Sequence, residues 1–273
     1  MAELDTSVAV WWAVMSVIGV VNIALWGRMA RRLTRGDLFR HERLQLIFGG
    51  IYVLGTASRC FVLRSDVARF AMFDSWFSTV LVGRSIATVA EVSFGVQWAL
   101  LLWWMARRTG QPGAKILAYP LVPLLTTAQC CAWYGVLTTH YVGQTVEESL
   151  WTTAAGLFMI GMVLCRRSAD AALKPMLTAG ITLCLAYMAF MILIDVPNYY
   201  HLWQAKLEAG ATYLTFSEGL RDIQNMNITG SYDDWRYPMV WQTLYFSIAV
   251  WISLAMVWLP YKILREEGAT PKG

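Results

Sequence analysis

Thirty consecutive residues, Trp76 to Met105, hold only two charged side chains, Arg84 and Glu91. About 20 apolar residues in a helix cross the ~30 Å hydrocarbon core of a bilayer. In lipid every backbone polar group must find its partner inside the protein, so such a stretch folds as a helix or as part of a closed barrel. Uninterrupted apolar runs, without period-2 alternation, favour the helix. Six more apolar blocks follow the same pattern. The spans are predicted at about residues 8–26, 44–63, 76–105, 116–137, 150–165, 176–195 and 238–261. Hydrophobic residues make up 57% of the chain and charged residues 15%. Soluble domains run nearer 45–50% and ~25%. The expected fold is an all-α integral membrane protein, a single bundle of seven transmembrane helices.

Lysine and arginine set the expected orientation. With the amino terminus outside, the inner segments carry fifteen basic residues: six between Arg28 and Arg43, three in each of the next two inner loops, and three in the tail. The outer segments carry five: Arg64, Arg69, Lys206, Arg221 and Arg236. An N-out, C-cytoplasmic, multi-pass protein of the plasma membrane is therefore expected. The first span is read as a retained signal anchor, because the start, MAELDTS, is acidic where a cleavable signal would be basic. The segment TTHYVGQTVEES is expected as an outer loop, and Pro197 as the end of the sixth span. Residues 196–237 would then form an outer cap with one or two short helices.

Charges at bilayer depth are costly, about 2.5–3.5 kcal/mol on insertion scales, and so mark functional positions. Arg84, Thr88 and Glu91 are spaced i, i+4, i+7 and share one helical face. Gly83 and Ala87, beside that face, would admit a neighbouring helix. Arg59 near the end of the second span and Asp195 at the end of the sixth are candidates to converge with them. Two guanidinium forks would suit a phosphate or carboxylate, with Glu91 and Asp195 as candidate catalytic acid–base groups. Arg59, Arg84, Thr88, His201, Gln242 and Tyr245 are the candidate substrate-binding residues. Equally, two arginines and two acids could neutralise one another in a closed network. Asp195 to His201, DVPNYYH, also reads as an interfacial aromatic anchor.

Other chemistries lack their residues. The three histidines, His41, His140 and His201, fall outside the predicted spans and show no metal-ligand spacing. The five cysteines lie in or near apolar spans and form no ligand or disulfide pattern. No Gly-x-Ser-x-Gly elbow or phosphate-binding glycine loop occurs, and no cofactor or metal is assigned. No basic stripe suggests nucleic acid. Asn227-Ile228-Thr229 matches the glycosylation sequon. The N-out, seven-span plan resembles opsins in architecture only, since the last span has no lysine before Lys262 for a Schiff base.

Three function classes fit these residues. One is a membrane-embedded enzyme acting on a membrane lipid or another amphipathic anionic ligand. The second is a small-molecule or proton-coupled transporter that titrates Glu91. It would need polar groups running inward, and only Ser93 and Gln97 follow before WALLLWW. The third is a seven-helix sensor or accessory subunit, which would signal through a partner subunit because its inner loops are short.

Overall fold

The computed structural model describes residues 4–36 and 38–269, with side chains described as far as Ile263. The first residues of the acidic start, and the Arg265 and Lys272 side chains counted in the tail, lie outside the described residues. About 80% of the chain is helical. Among the described residues, seven helices are long and apolar enough to cross a membrane.

Helix α1 (Thr6–Leu33) starts where the Asp5 carboxylate accepts from Ser7 N, and it ends on Arg31 and Arg32. Both features complement the helix dipole. α2 (Arg40–Phe61) returns, and its first turn is capped by Glu42 accepting from Phe39 N at 2.9 Å. After a 3₁₀ turn at Trp76–Ser78, α3 (Val80–Arg108) runs the length of the bundle. α4 (Pro112–Ala118) and α5 (Leu121–Thr138) make the fourth membrane-length segment with a break at Tyr119–Pro120. The pairs Arg31–Arg32, Arg107–Arg108 and Arg166–Arg167 close three of the helices. That face of the bundle is called the arginine end below, and the opposite face the cap end.

Three expectations are corrected here. Helix α6 spans Val142–Arg167 rather than 150–165, so Glu147 and Glu148 belong to a helix and not to a loop. Its buried positions, Gln144, Glu147, Trp151, Ala155, Phe158, Met162 and Cys165, recur every three or four residues. Two charges did not break that periodicity, because one of them is neutralised inside. Pro197 does not end the sixth long helix. α7 (Leu173–Phe190) passes through a π turn at Met191–Asp195 into α8 (Val196–Glu208). The extra residue of the π turn absorbs the donor that proline lacks. The last long helix likewise begins earlier than residue 238. α10 (Tyr232–Leu244), a second π turn at Tyr245–Ala249 and α11 (Val250–Ala269) form one continuous helix. The cap is correspondingly smaller, about residues 209–231.

Within the cap, α9 (Phe216–Asp222) is fixed by a capping box between Thr215 and Glu218. Gly219 lies directly against the Leu137 carbonyl at the end of α5, where a Cβ would not fit. Three two-residue strands, β1 (Arg64–Ser65), β2 (Phe70–Ala71) and β3 (Asn227–Ile228), tie the α2–α3 connection to the cap.

Helix α3 sits at the centre, packed on α2, α5 and α6. α1 and α7–α8 are peripheral and leave apolar side chains outward, among them Val10, Val17 and Leu193. In water such faces would be a liability; against lipid chains they are not. α5 and α6 cross where Gly135 meets Gly143, so closely that a methyl on Gly143 would lie 2.6 Å from the Cys131 carbonyl. Asn22 donates to the Phe246 carbonyl of the second π turn at 2.9 Å and accepts from Trp251 Nε1 at 3.1 Å. One buried amide thus satisfies a carbonyl in the widened turn and an indole.

Candidate functional site

Arg84 and Glu91 both turn into the bundle and are 7% and 6% exposed. Arg84 Nη2 donates to Gln129 Oε1 at 2.5 Å, to Glu147 Oε1 at 3.0 Å and to Glu91 Oε2 at 3.5 Å. Gln129 Nε2 donates to Glu91 Oε2 at 2.5 Å. Three helices, α3, α5 and α6, therefore meet around one guanidinium. A buried ion cluster is tolerated only when its members are paired and hydrogen-bonded. The amide of Gln129 bridges the arginine and Glu91 and makes the weaker of the two ion pairs sustainable.

Towards the cap end lies a second group. Asp66 is held by Arg64 Nε at 2.9 Å and by Arg59 Nη2 at 3.9 Å. The Arg59 guanidinium also lies over the Phe246 ring at 5.5 Å. Arg64 Nη1 donates to the Phe77 carbonyl at 3.3 Å. Burial alone would raise Asp66; Arg64, Arg59 and Arg84 overcome it and hold the carboxyl below its usual range. Burial pulls Arg64 down to about 10, against the opposing field of Asp66. The whole cluster carries three guanidiniums (Arg59, Arg64, Arg84) and three carboxylates (Asp66, Glu91, Glu147), all buried.

Gly83 has a different role from the one expected of it. It admits no helix; the Arg64 guanidinium occupies the space a Cβ would take. Thr88 is engaged elsewhere, accepting from Trp133 Nε1 at 2.9 Å. Gln242, fully buried, donates to the Arg64 carbonyl at 3.0 Å and so supports the loop that carries Arg64. The Tyr245 ring lies edge-on to Tyr52 at 6.3 Å, and neither buried hydroxyl has hydrogen-bond geometry to a partner. Asp195, in the first π turn, accepts from Tyr237 at 3.4 Å. Among the described residues no ion pair joins it to Arg59 or Arg84, so it sits apart from the guanidiniums. His201 is exposed and stacks edge-on to Tyr200; it does not reach the cluster.

Besides the Tyr52 and Tyr245 hydroxyls, Arg64 Nη2, Arg84 Nε and Gln242 Oε1 are buried in or beside the cluster without a hydrogen-bond partner among the described residues. Buried polar groups are nearly always satisfied, and exceptions concentrate where a ligand, ion or water belongs.

Towards the arginine end the cluster rests on aromatic rings. Tyr52 stacks on Phe94 at 4.3 Å, Phe94 meets Trp98 at 5.4 Å, and Trp98 packs on Trp151 and Phe158. Beyond them, Gln97 is locked. It donates to the Gln45 carbonyl at 3.3 Å, accepts from Ser253 Oγ at 2.6 Å, and its own carbonyl accepts from Gln45 Nε2 at 2.9 Å. Among the described residues no hydrogen bond or ion pair joins the Glu91 cluster to the Gln97, Gln45 and Ser253 group. Among the described residues no group of three or more His, Cys, Asp or Glu side chains could hold a metal ion.

Glu147, Gln129, Asp66 and Arg64 were not among the residues singled out from the sequence. Gln129 carried a signal, as a lone amide within the apolar run Leu121–Val136. Comparison with family models, with curated proteins and with solved structures found no match, so the reading of this site rests on its geometry.

Proposed function

We propose that the chain is an integral protein of the plasma membrane, with its amino terminus and cap outside and its carboxyl terminus in the cytoplasm. The concentration of basic residues at one end supports this orientation. We further propose that it is a membrane-embedded enzyme acting on a lipid or other amphipathic anionic molecule in the outer half of the bilayer. Arg59, Arg64 and Arg84 would hold the anion, Tyr52, Tyr245 and Gln242 would line its site, and Glu91 would exchange the proton. The observation that carries this reading is the set of buried, unpartnered donors on Arg64 and Arg84. The aromatic rings beneath the cluster and the locked Gln97 disfavour a carrier, which needs a path to the far side.

The test is mass spectrometry of small molecules that co-purify with the protein. Arg84→Gln should lose the anionic ligand, while Glu91→Gln should retain it unconverted. A ligand profile that neither substitution changes contradicts the reading. One observation favours a second reading: the three positive and three negative groups balance. A closed structural network of this kind suits a sensor or accessory subunit that works through a partner, and in that case no ligand co-purifies.

A further inference from the structure

The loop from Arg64 to Ala71 sends one carboxylate, Asp66, into a ring of guanidiniums. Asp66 is 8% exposed and lies between Arg64 and Arg59, within the field of Arg84. Its grip is uneven. One oxygen meets Arg64 Nε at 2.9 Å, while the other is 3.9 Å from Arg59, too long for a hydrogen bond. Arg64 Nη2 and Arg84 Nε donate to nothing. Asp66 thus leaves two buried guanidinium donors of the cluster without an acceptor.

The loop itself is built as a clasp. β1 and β2 pair only over Arg64–Ala71 and Ser65–Phe70. Arg69, at the turn, has φ 58°, a left-handed backbone that a non-glycine residue adopts only when its surroundings hold it there. What holds it is the Arg69 side chain, which donates to the Val136 carbonyl at 2.9 Å and pairs with Asp222 at 3.3 Å. Both partners belong to elements other than the loop, α5 and the cap.

We infer that Asp66 is an intramolecular stand-in for the ligand, a displaceable counter-anion, and that the group which displaces it is a phosphate oxyanion. This rests on the reading of the cluster as an anion site. A phosphate offers three peripheral oxygens to the fork of Arg64 and to Arg59 and Arg84, where the carboxylate offers two. Binding would expel Asp66 and loosen the turn that carries it, residues 66–70, while Arg64, its carbonyl held by Gln242, stays on the phosphate. With no phosphate bound, Asp66 keeps the buried Arg59 and Arg64 from facing each other uncompensated. The phosphate can come from a lipid headgroup or from free solution, and the chemistry recognised is the same.

The full-length protein in detergent is titrated with inorganic phosphate and, separately, with short-chain phosphatidic acid. Asp66→Asn removes the competing charge and should tighten binding about tenfold or more, the effect expected of one opposite charge in contact. Tightening for both probes, or for phosphatidic acid alone, supports the inference, and the second outcome assigns the phosphate to a lipid. Because Asp66→Asn can fail to fold, hydrogen exchange of residues 66–70 is also followed in the unaltered protein. Phosphate should speed it. Unchanged affinity in a folded Asp66→Asn variant, or slowed or unaltered exchange on phosphate binding, overturns the inference. If Arg84→Gln abolishes phosphate binding while Asp66→Asn leaves it unchanged, the clasp idea fails and the anion site stands. If Arg84→Gln binds phosphate as the unaltered protein does, the anion site fails with it.

Discussion

Replacing Gly83 by alanine tests the packing on which the cluster depends. In an ordinary helix interior the change stabilises by up to ~1 kcal/mol, because alanine is the better helix former. At Gly83 the added methyl would fall within the Arg64 guanidinium. That side chain must leave, and its ion pair with Asp66 and its bond to the Phe77 carbonyl go with it. Breaking a buried ion pair costs roughly 3–5 kcal/mol. Set against the helix gain, the net loss is about 2–4 kcal/mol, a fall in Tm on the order of 10 °C for a chain of this size. Tryptophan fluorescence during heating reads it, with 14 Trp in the chain. Gly27→Ala in α1 is the control, since nothing lies within 4 Å of a Cβ there, and it should be neutral or stabilising. In an Arg64→Ala background Gly83→Ala should become stabilising, because the clash is gone. If Gly83→Ala alone stabilises as Gly27→Ala does, Arg64 is not seated on α3 and the account of the cluster is wrong.

Asn22→Leu should cost about 1–2 kcal/mol by leaving the Phe246 carbonyl and the Trp251 indole without their buried partner; an unchanged melting curve contradicts this. His140 gives a pH dependence. It stacks on Tyr213 at 3.9 Å and its Nδ1 accepts from Val142 N, while Tyr134, Trp203 and Lys206 face it from α5 and α8. Burial, and then Lys206, lower its pKa below the ordinary 6.5. A base whose folded pKa is depressed contributes stability that is complete above about 6.5 and is lost as pH falls below it. Hydrogen exchange of residues 209–215, corrected for its intrinsic pH dependence, should therefore quicken as pH drops below about 6.5. A flat corrected profile contradicts the prediction.

Much of the architecture was readable from apolar runs, because lipid imposes a length and a composition on any helix that crosses it. The sequence holds seven such runs, and among the described residues seven helices have the required length and composition. The misjudged boundaries share one physical cause. Hydropathy registers a side chain's cost in lipid but not its partner. Glu147 and Glu148 therefore looked like loop residues, although the first is neutralised by Arg84 across two helices. Pro197 looked like a stop, although a π turn carries the helix past it. The same blindness divides the candidate site. Arg84 and Glu91 stood out as charges in an apolar span, and both are buried in the cluster. Asp66 and Arg64 lie in a short polar loop whose sequence holds no sign that it folds inward. Only the absent Cβ of Gly83, one residue before Arg84, makes their position sterically possible. Asp195 and His201 were grouped with the cluster by span ends alone, and tertiary packing takes Asp195 to Tyr237 and His201 to the surface.

The central claim is that the three guanidiniums form a ligand site and not a closed structural network. An experimental density map of the protein in nanodiscs of its native lipids tests this most directly. The account predicts non-protein density within hydrogen-bond distance of Arg84 Nε and Arg64 Nη2. Finding both atoms bonded only to protein groups or water, with the Arg84–Glu147 and Arg64–Asp66 pairs intact, would contradict it.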